Sequence, residues 1–106
     1  MTPRPVELTR AAVVWVDFDP TTGSGQRGTR PALVVSSADY LASVRGPVVV
    51  LPVTSTWTGL SRPGFAMTEQ PRTISTIRIS RRTGTADAAT MTEVDRWLQD
   101  FLGIRP

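Results

Sequence analysis

Apolar residues are grouped in short blocks along the chain, and the spacing within each block differs. In AVVWVDFD (12–19), Val14, Val16 and Phe18 alternate with Trp15 and Asp17. A period of two in β-branched and aromatic residues predicts a strand with alternate positions facing a core. PALVVSS (31–37) predicts a second strand. Pro31 in its first position removes no ladder hydrogen bond, and Arg30 before it is pushed toward extended backbone. SADYLASV (37–44) predicts one or two helical turns capped by a serine, and PVVVLPVT (47–54) is a continuous apolar run of the kind buried inside a sheet. STWTGLSRPG (55–64) consists of turn formers. FAMTEQ (65–70) and RTISTIRIS (72–80) predict short strands.

The C-terminal block changes period. Met91, Val94, Trp97, Leu98, Phe101 and Leu102 fall on one helical stripe, and Trp97 on that stripe is expected in the core. Thr90 and Glu93 have the spacing of a capping box at its start, and Gly103 is placed as its stop. No repeat or linker divides the chain, which predicts one domain over 1–106. Its class is mostly β with a C-terminal α-helix, a small closed barrel or half-barrel.

Composition narrows the chemistry. With 106 residues and 40% apolar content, one compact core is expected. No apolar run reaches the roughly 18 residues needed to span a bilayer. The segment MTPRPVELTR lacks a signal-peptide apolar region, and there is no cysteine; both fit a cytoplasmic protein. The absence of histidine removes paired-imidazole ribonuclease chemistry, Ser-His hydrolysis and histidine metal sites. No lysine-bearing phosphate loop occurs. All twelve basic residues are arginine against nine acids, a net +3, so an anionic partner and a solvated surface are both open.

The segment GSGQRGTRP (23–31) sets two arginines in a glycine-rich loop between strands. Antiparallel pairing of 31–37 with 47–54 would put Arg30 and Thr54 at one sheet end, under that loop. A guanidinium beside a hydroxyl suits a phosphodiester: arginine stabilises charge growing on phosphoryl oxygens, but its pKa above about 12 makes it a poor base. Arg30 could equally be an ion-pair partner of Asp17 or Asp19, and Thr54 a residue chosen for β-propensity. Asp17 and Asp19 lack a third acidic ligand, so DFDP reads as a strand-ending turn rather than a metal site. Trp57, in a polar loop, is the one candidate for base stacking among the three tryptophans, with a plain loop residue as the alternative reading. Arg78, Arg81 and Arg82 read as a solvated face.

The ordered set VVWVDFDPTTGSGQRGTRPALVVS, VVVLPVTST, AMTEQPRTIS and VDRWLQDFLGI resembles the MazF/PemK family of toxin endoribonucleases over nearly the whole chain. The resemblance implies an SH3-like small barrel, a homodimer, and metal-independent, cofactor-free cleavage of single-stranded RNA. The products implied are a 2′,3′-cyclic phosphate and a 5′-hydroxyl. It also implies an acidic antitoxin as partner and no membrane association. Arg30 and Thr54 match the family's catalytic positions; Gln26, Arg27, Thr29, Gln70, Arg72 and Ser75 fall where RNA is contacted or the site is supported. Three departures stand out. Gly25 replaces a usual acidic residue, Ser75 replaces an aspartate of some relatives, and the segment after Thr54 is short. A protein of this fold that does not cut RNA, as in a gyrase-inhibiting toxin or an inactive relative, is the alternative.

Overall fold

The computed structural model describes residues 7–18, 30–53 and 71–104. Along these run β1 (Ala12–Val16), β2 (Arg30–Val34), α1 (Ala38–Ser43), β3 (Pro47–Pro52) and β4 (Arg72–Ser75). A 3-10 turn (Thr76–Arg78), β5 (Ile79–Thr85) and α2 (Ala88–Leu102) complete them. The strand expected over 65–70 lies outside the described residues.

The strands make one antiparallel sheet in the order β4-β3-β2-β1-β5. β4 and β5 therefore sit on opposite edges, yet only the three residues of the turn separate them in sequence. Five strands laid flat would hold their edges roughly 19 Å apart. The step from Ser75 to Ile79 can span at most about 14 Å, so the sheet must curl. The mostly β class with a C-terminal helix holds, but the closed barrel does not. No ladder joins β4 to β5 among the described residues, because the turn is anchored elsewhere. Thr76 N–H donates to the Gly46 carbonyl (2.7 Å) and Asp17 N–H to the Arg78 carbonyl (3.0 Å). Gly46 has φ +102°, a conformation suited to glycine. The turn also breaks the strand expected over 72–80, while β5 runs on to Thr85.

Curling gives the sheet two buried faces. Ala12, Val14, Val16, Ala32, Val34, Val48, Val50, Ile74 and Ile79 fill the concave side, with Leu8, Phe18 and Leu41 packed against them. Leu33, Leu51, Val53, Ala86, Met91 and Val94 form a second cluster on the outer side, beneath α2. Successive residues of β2 and β3 thus enter different cores, which explains why those strands read as unbroken apolar runs. Each fully buried valine or leucine contributes roughly 1.5–3 kcal/mol.

Helix ends follow side-chain chemistry. Ser37 caps α1 as expected, accepting from Tyr40 N–H at 3.1 Å. α2 begins earlier than the Thr90–Glu93 spacing predicts. Asp87 is its N-cap, accepting from Thr90 N–H at 2.7 Å. The carboxylate three residues upstream wins because it lets Ala88 and Ala89, good helix formers, join the helix. Gly103 ends α2 at φ +70°. The Arg10 guanidinium fastens the helix to the sheet, binding the Asp95 carboxylate and the Val35 carbonyl (3.2 Å). The apolar stripe is only partly covered, with Leu98 half-buried against the outer cluster. Met91 and Val94 are buried, but Trp97, expected in the core, is 55% exposed, and Phe101 and Leu102 are exposed with it.

Candidate functional site

The register between β2 and β3 decides what can meet at the strand mouth. Ala32 lies opposite Pro52, Leu33 opposite Leu51 and Val34 opposite Val50. One residue further on, Val53 N–H donates to the Pro31 carbonyl at 3.0 Å. The two residues following Arg30 are therefore paired with the two preceding Thr54. Arg30 itself is exposed, opens β2 and lies opposite Val16 of β1. Its alternation with Ala32 and Val34, both in the concave core, assigns it to the concave side of the sheet. Thr54, Gln26, Arg27, Thr29, Gln70, Gly25, Asp19 and Trp57 lie outside the described residues.

Arg72 opens β4 opposite Val50 and is exposed. Its guanidinium lies over the Phe18 ring, 5.0 Å from the centroid. Phe18 stands two residues beyond Val16, the strand partner of Arg30. In a flat sheet β4 and β1 would be about 14 Å apart, so this contact is made across the curl. Phe18 thus brings the Arg72 guanidinium to the end of β1 that lies beside Arg30. Sequence reasoning put Phe18 on the right strand face but gave no sign of its partner, which only the curl reveals. Ser75 is not brought to this mouth. It closes the other end of β4, paired with Pro47, and its hydroxyl accepts from Ile77 N–H (3.4 Å) to cap the 3-10 turn.

The arginines near β5 lie on a partly solvated face, as expected, and also contact the protein. Arg78 Nη1 donates to the Asp17 carbonyl at 3.3 Å. Arg82 donates to the carbonyls of Gly84 and Glu7 (3.4 Å each) and to Thr85 Oγ1 (2.6 Å). Arg81 lies over Trp15, 5.1 Å from a ring centroid, so that indole face is already occupied. Asp17 is held through its backbone, with its N–H on the Arg78 carbonyl. An open cleft beside α2, lined by Glu93, Arg96, Trp97, Asp100 and Ile104, belongs to the exposed half of the helix rather than to the arginine mouth.

The family model described as PemK-like, MazF-like toxin of type II toxin-antitoxin system matches residues 9–59 and 55–102. This chain belongs to the PemK/MazF toxin family. The Mycobacterium tuberculosis protein named endoribonuclease MazF9 is 35% identical over 116 residues, covering 92% of this chain and 98% of the relative. The Escherichia coli protein named endoribonuclease PemK is 38% identical over 85 residues, 67% of this chain and 63% of its own. Among solved structures, a MazE-MazF crystal structure from Deinococcus radiodurans has a TM-score of 0.72 at 28% identity, covering 92% and 97% of the two chains. A mycobacterial endoribonuclease in complex with its cognate antitoxin has the same TM-score at 23% identity, covering 93% and 96%; it shares the fold. Within the PemK/MazF family, then, this chain keeps the five-stranded antiparallel sheet and C-terminal helix. Among the described residues no helix is long and apolar enough to cross a membrane.

Proposed function

We propose that this chain is a toxin endoribonuclease that cleaves single-stranded RNA without a metal ion or cofactor. The observation that supports it most is the β2–β3 register, which aligns the flanks of Arg30 and Thr54 in a chain whose family relatives are named endoribonucleases. In the reaction the ribose 2′-oxygen bonds to phosphorus as the bond from phosphorus to the 5′-oxygen breaks. The 2′-hydroxyl proton leaves to water, and the departing 5′-oxygen gains one. Arg30 faces the negative charge that grows on the phosphoryl oxygens, and Thr54 donates its hydroxyl to the same group. Gln26, Arg27, Thr29, Gln70 and Arg72 serve RNA binding or support of the site, whereas Ser75 supports the fold at the other end of β4, where it caps the 3-10 turn. The protein works in the cytoplasm as a homodimer, and an acidic antitoxin covering the basic mouth restrains it.

The test is incubation of the purified protein with a long RNA in EDTA, followed by end mapping. Cuts at a short recurring sequence, with 2′,3′-cyclic phosphate and 5′-hydroxyl ends, are expected. Intact RNA, or cleavage restored only by magnesium, would overturn the reading.

A further inference from the structure

We propose that Phe18 is a positioning residue that holds Arg72 over the mouth, so that the guanidinium reaches an RNA phosphate already oriented. This rests on the endoribonuclease reading. Arg72 is exposed at the start of an edge strand of only four residues, where a long side chain would otherwise sample many rotamers. Phe18 supplies a partly buried ring, fixed against the concave core, and the Arg72 guanidinium lies 5.0 Å over its centroid. A ring face holds a guanidinium by its plane and leaves the N–H edge free to donate. Among the described residues Arg72 carries no hydrogen bond, in contrast to Arg78 and Arg82, whose donors are taken by carbonyls. An arginine parked on a ring, rather than on an acceptor, keeps its fork for an anion.

The geometry makes Phe18 act only through Arg72, which a double-mutant cycle can read. Binding of a fluorescein-labelled, non-cleavable 2′-deoxy oligonucleotide would be measured by anisotropy across a salt series, with cleavage of a long RNA followed in parallel. Phe18→Leu keeps apolar volume and removes the ring; its affinity should fall about three-fold, the size of an exposed cation–π contact. KM should rise with kcat nearly unchanged, because the loss is of oriented binding rather than of charge stabilisation in the transition state. Phe18→Trp, which restores a ring face, should bind at least as well as the wild type. Phe18→Leu combined with Arg72→Ala should bind no more weakly than Arg72→Ala alone. Additive losses, or a Phe18→Trp variant as weak as Phe18→Leu, would overturn the proposal while leaving the endoribonuclease reading intact. Should Phe18→Leu unfold, the Trp variant and its additivity with Arg72→Ala decide by themselves. A wild-type protein that neither binds the oligonucleotide nor cuts RNA would remove both.

Discussion

Arg72 at the concave mouth and Arg78 and Arg82 near β5 carry the same charge in opposite chemical situations. Near β5, Arg82 has donors on two carbonyls and a hydroxyl, and Arg78 has one on the Asp17 carbonyl. An anion arriving there would have to displace protein acceptors. At the mouth, Arg72 rests on a ring, which holds the guanidinium without engaging its N–H edge. In the denser run, Arg78 and Arg82 are therefore committed to protein acceptors, whereas Arg72 at the mouth and Arg81 on Trp15 are each held by a ring face. What a guanidinium does is set by the acceptors the fold brings to it, more than by how many lie together in sequence.

The largest expected effect tests the mouth directly. Arg30→Ala should lower RNA cleavage at least a hundredfold, corresponding to about 3 kcal/mol of lost transition-state stabilisation. Its melting temperature should stay close to the wild-type value, since Arg30 is exposed at a strand end. Arg82→Ala, measured in the same assay, should cleave at the wild-type rate. Equal losses in both variants would erase the distinction between the two groups.

Salt sharpens it next. If Arg72 meets a phosphate, Arg72→Ala should weaken oligonucleotide binding about tenfold, the scale of a charge-assisted hydrogen bond. The log–log slope of affinity against salt should become shallower by about 0.7. Arg82→Ala, whose donors are on protein acceptors, should leave that slope unchanged. Similar slopes for the two variants would mean that β5 is part of the RNA track after all.

Parts of this arrangement were legible in the sequence, for reasons that separate residue by residue. β1, β2 and β3 announce themselves because most of their positions are apolar and each strand sends side chains into one or both of two cores. Ser37 and Gly103 are local signals that depend on nothing distant. β5 was missed beyond Ser80 because its register against β1 shifts twice, skipping Ser80 and Thr83. Two bulges destroy the period of two, and both skipped residues turn their hydroxyls onto β1 carbonyls (3.4 Å each). Such irregularity also protects an edge strand from pairing with another chain. Trp97 was misplaced because helical periodicity tells which side a residue occupies, not how far the sheet beneath extends. The Arg30 neighbourhood followed from strand pairing, but the Phe18–Arg72 contact needed the curl, which no local pattern encodes.

On stability the order of the two arginine groups should reverse. Arg82→Ala removes three hydrogen bonds that tie β5 to itself and to Glu7, all partly solvated and two of them long. Unfolding in urea should show a loss of about 1 kcal/mol. Arg72→Ala should lose less, because a single exposed ring contact is all it gives up. A mouth variant less stable than the β5 variant would mean that the mouth is built for folding rather than for a ligand.

The smallest expected effect lies on the property for which neither arginine group predicts anything. Guanidinium groups stay charged below about pH 12, so the acid dependence of stability must come from carboxylates. Asp87 is such a group. Its hydrogen bonds from the Thr90 side chain and backbone hold its carboxyl below the usual range, against a small opposing desolvation. A carboxyl whose folded value is depressed stabilises the protein above its unfolded pKa of about 3.9 and loses that contribution as pH falls through the folded value. The melting temperature of Asp87→Ala should therefore lie below wild type by a constant margin from neutrality down to about pH 5. The margin should then shrink as the solution passes below the unfolded carboxyl pKa, because the protonated acid caps α2 less well. Calorimetry on both proteins across that range reads the difference. A margin that widened in acid would mean that Asp87 is held by something other than the Thr90 cap, and that the early start of α2 has another cause.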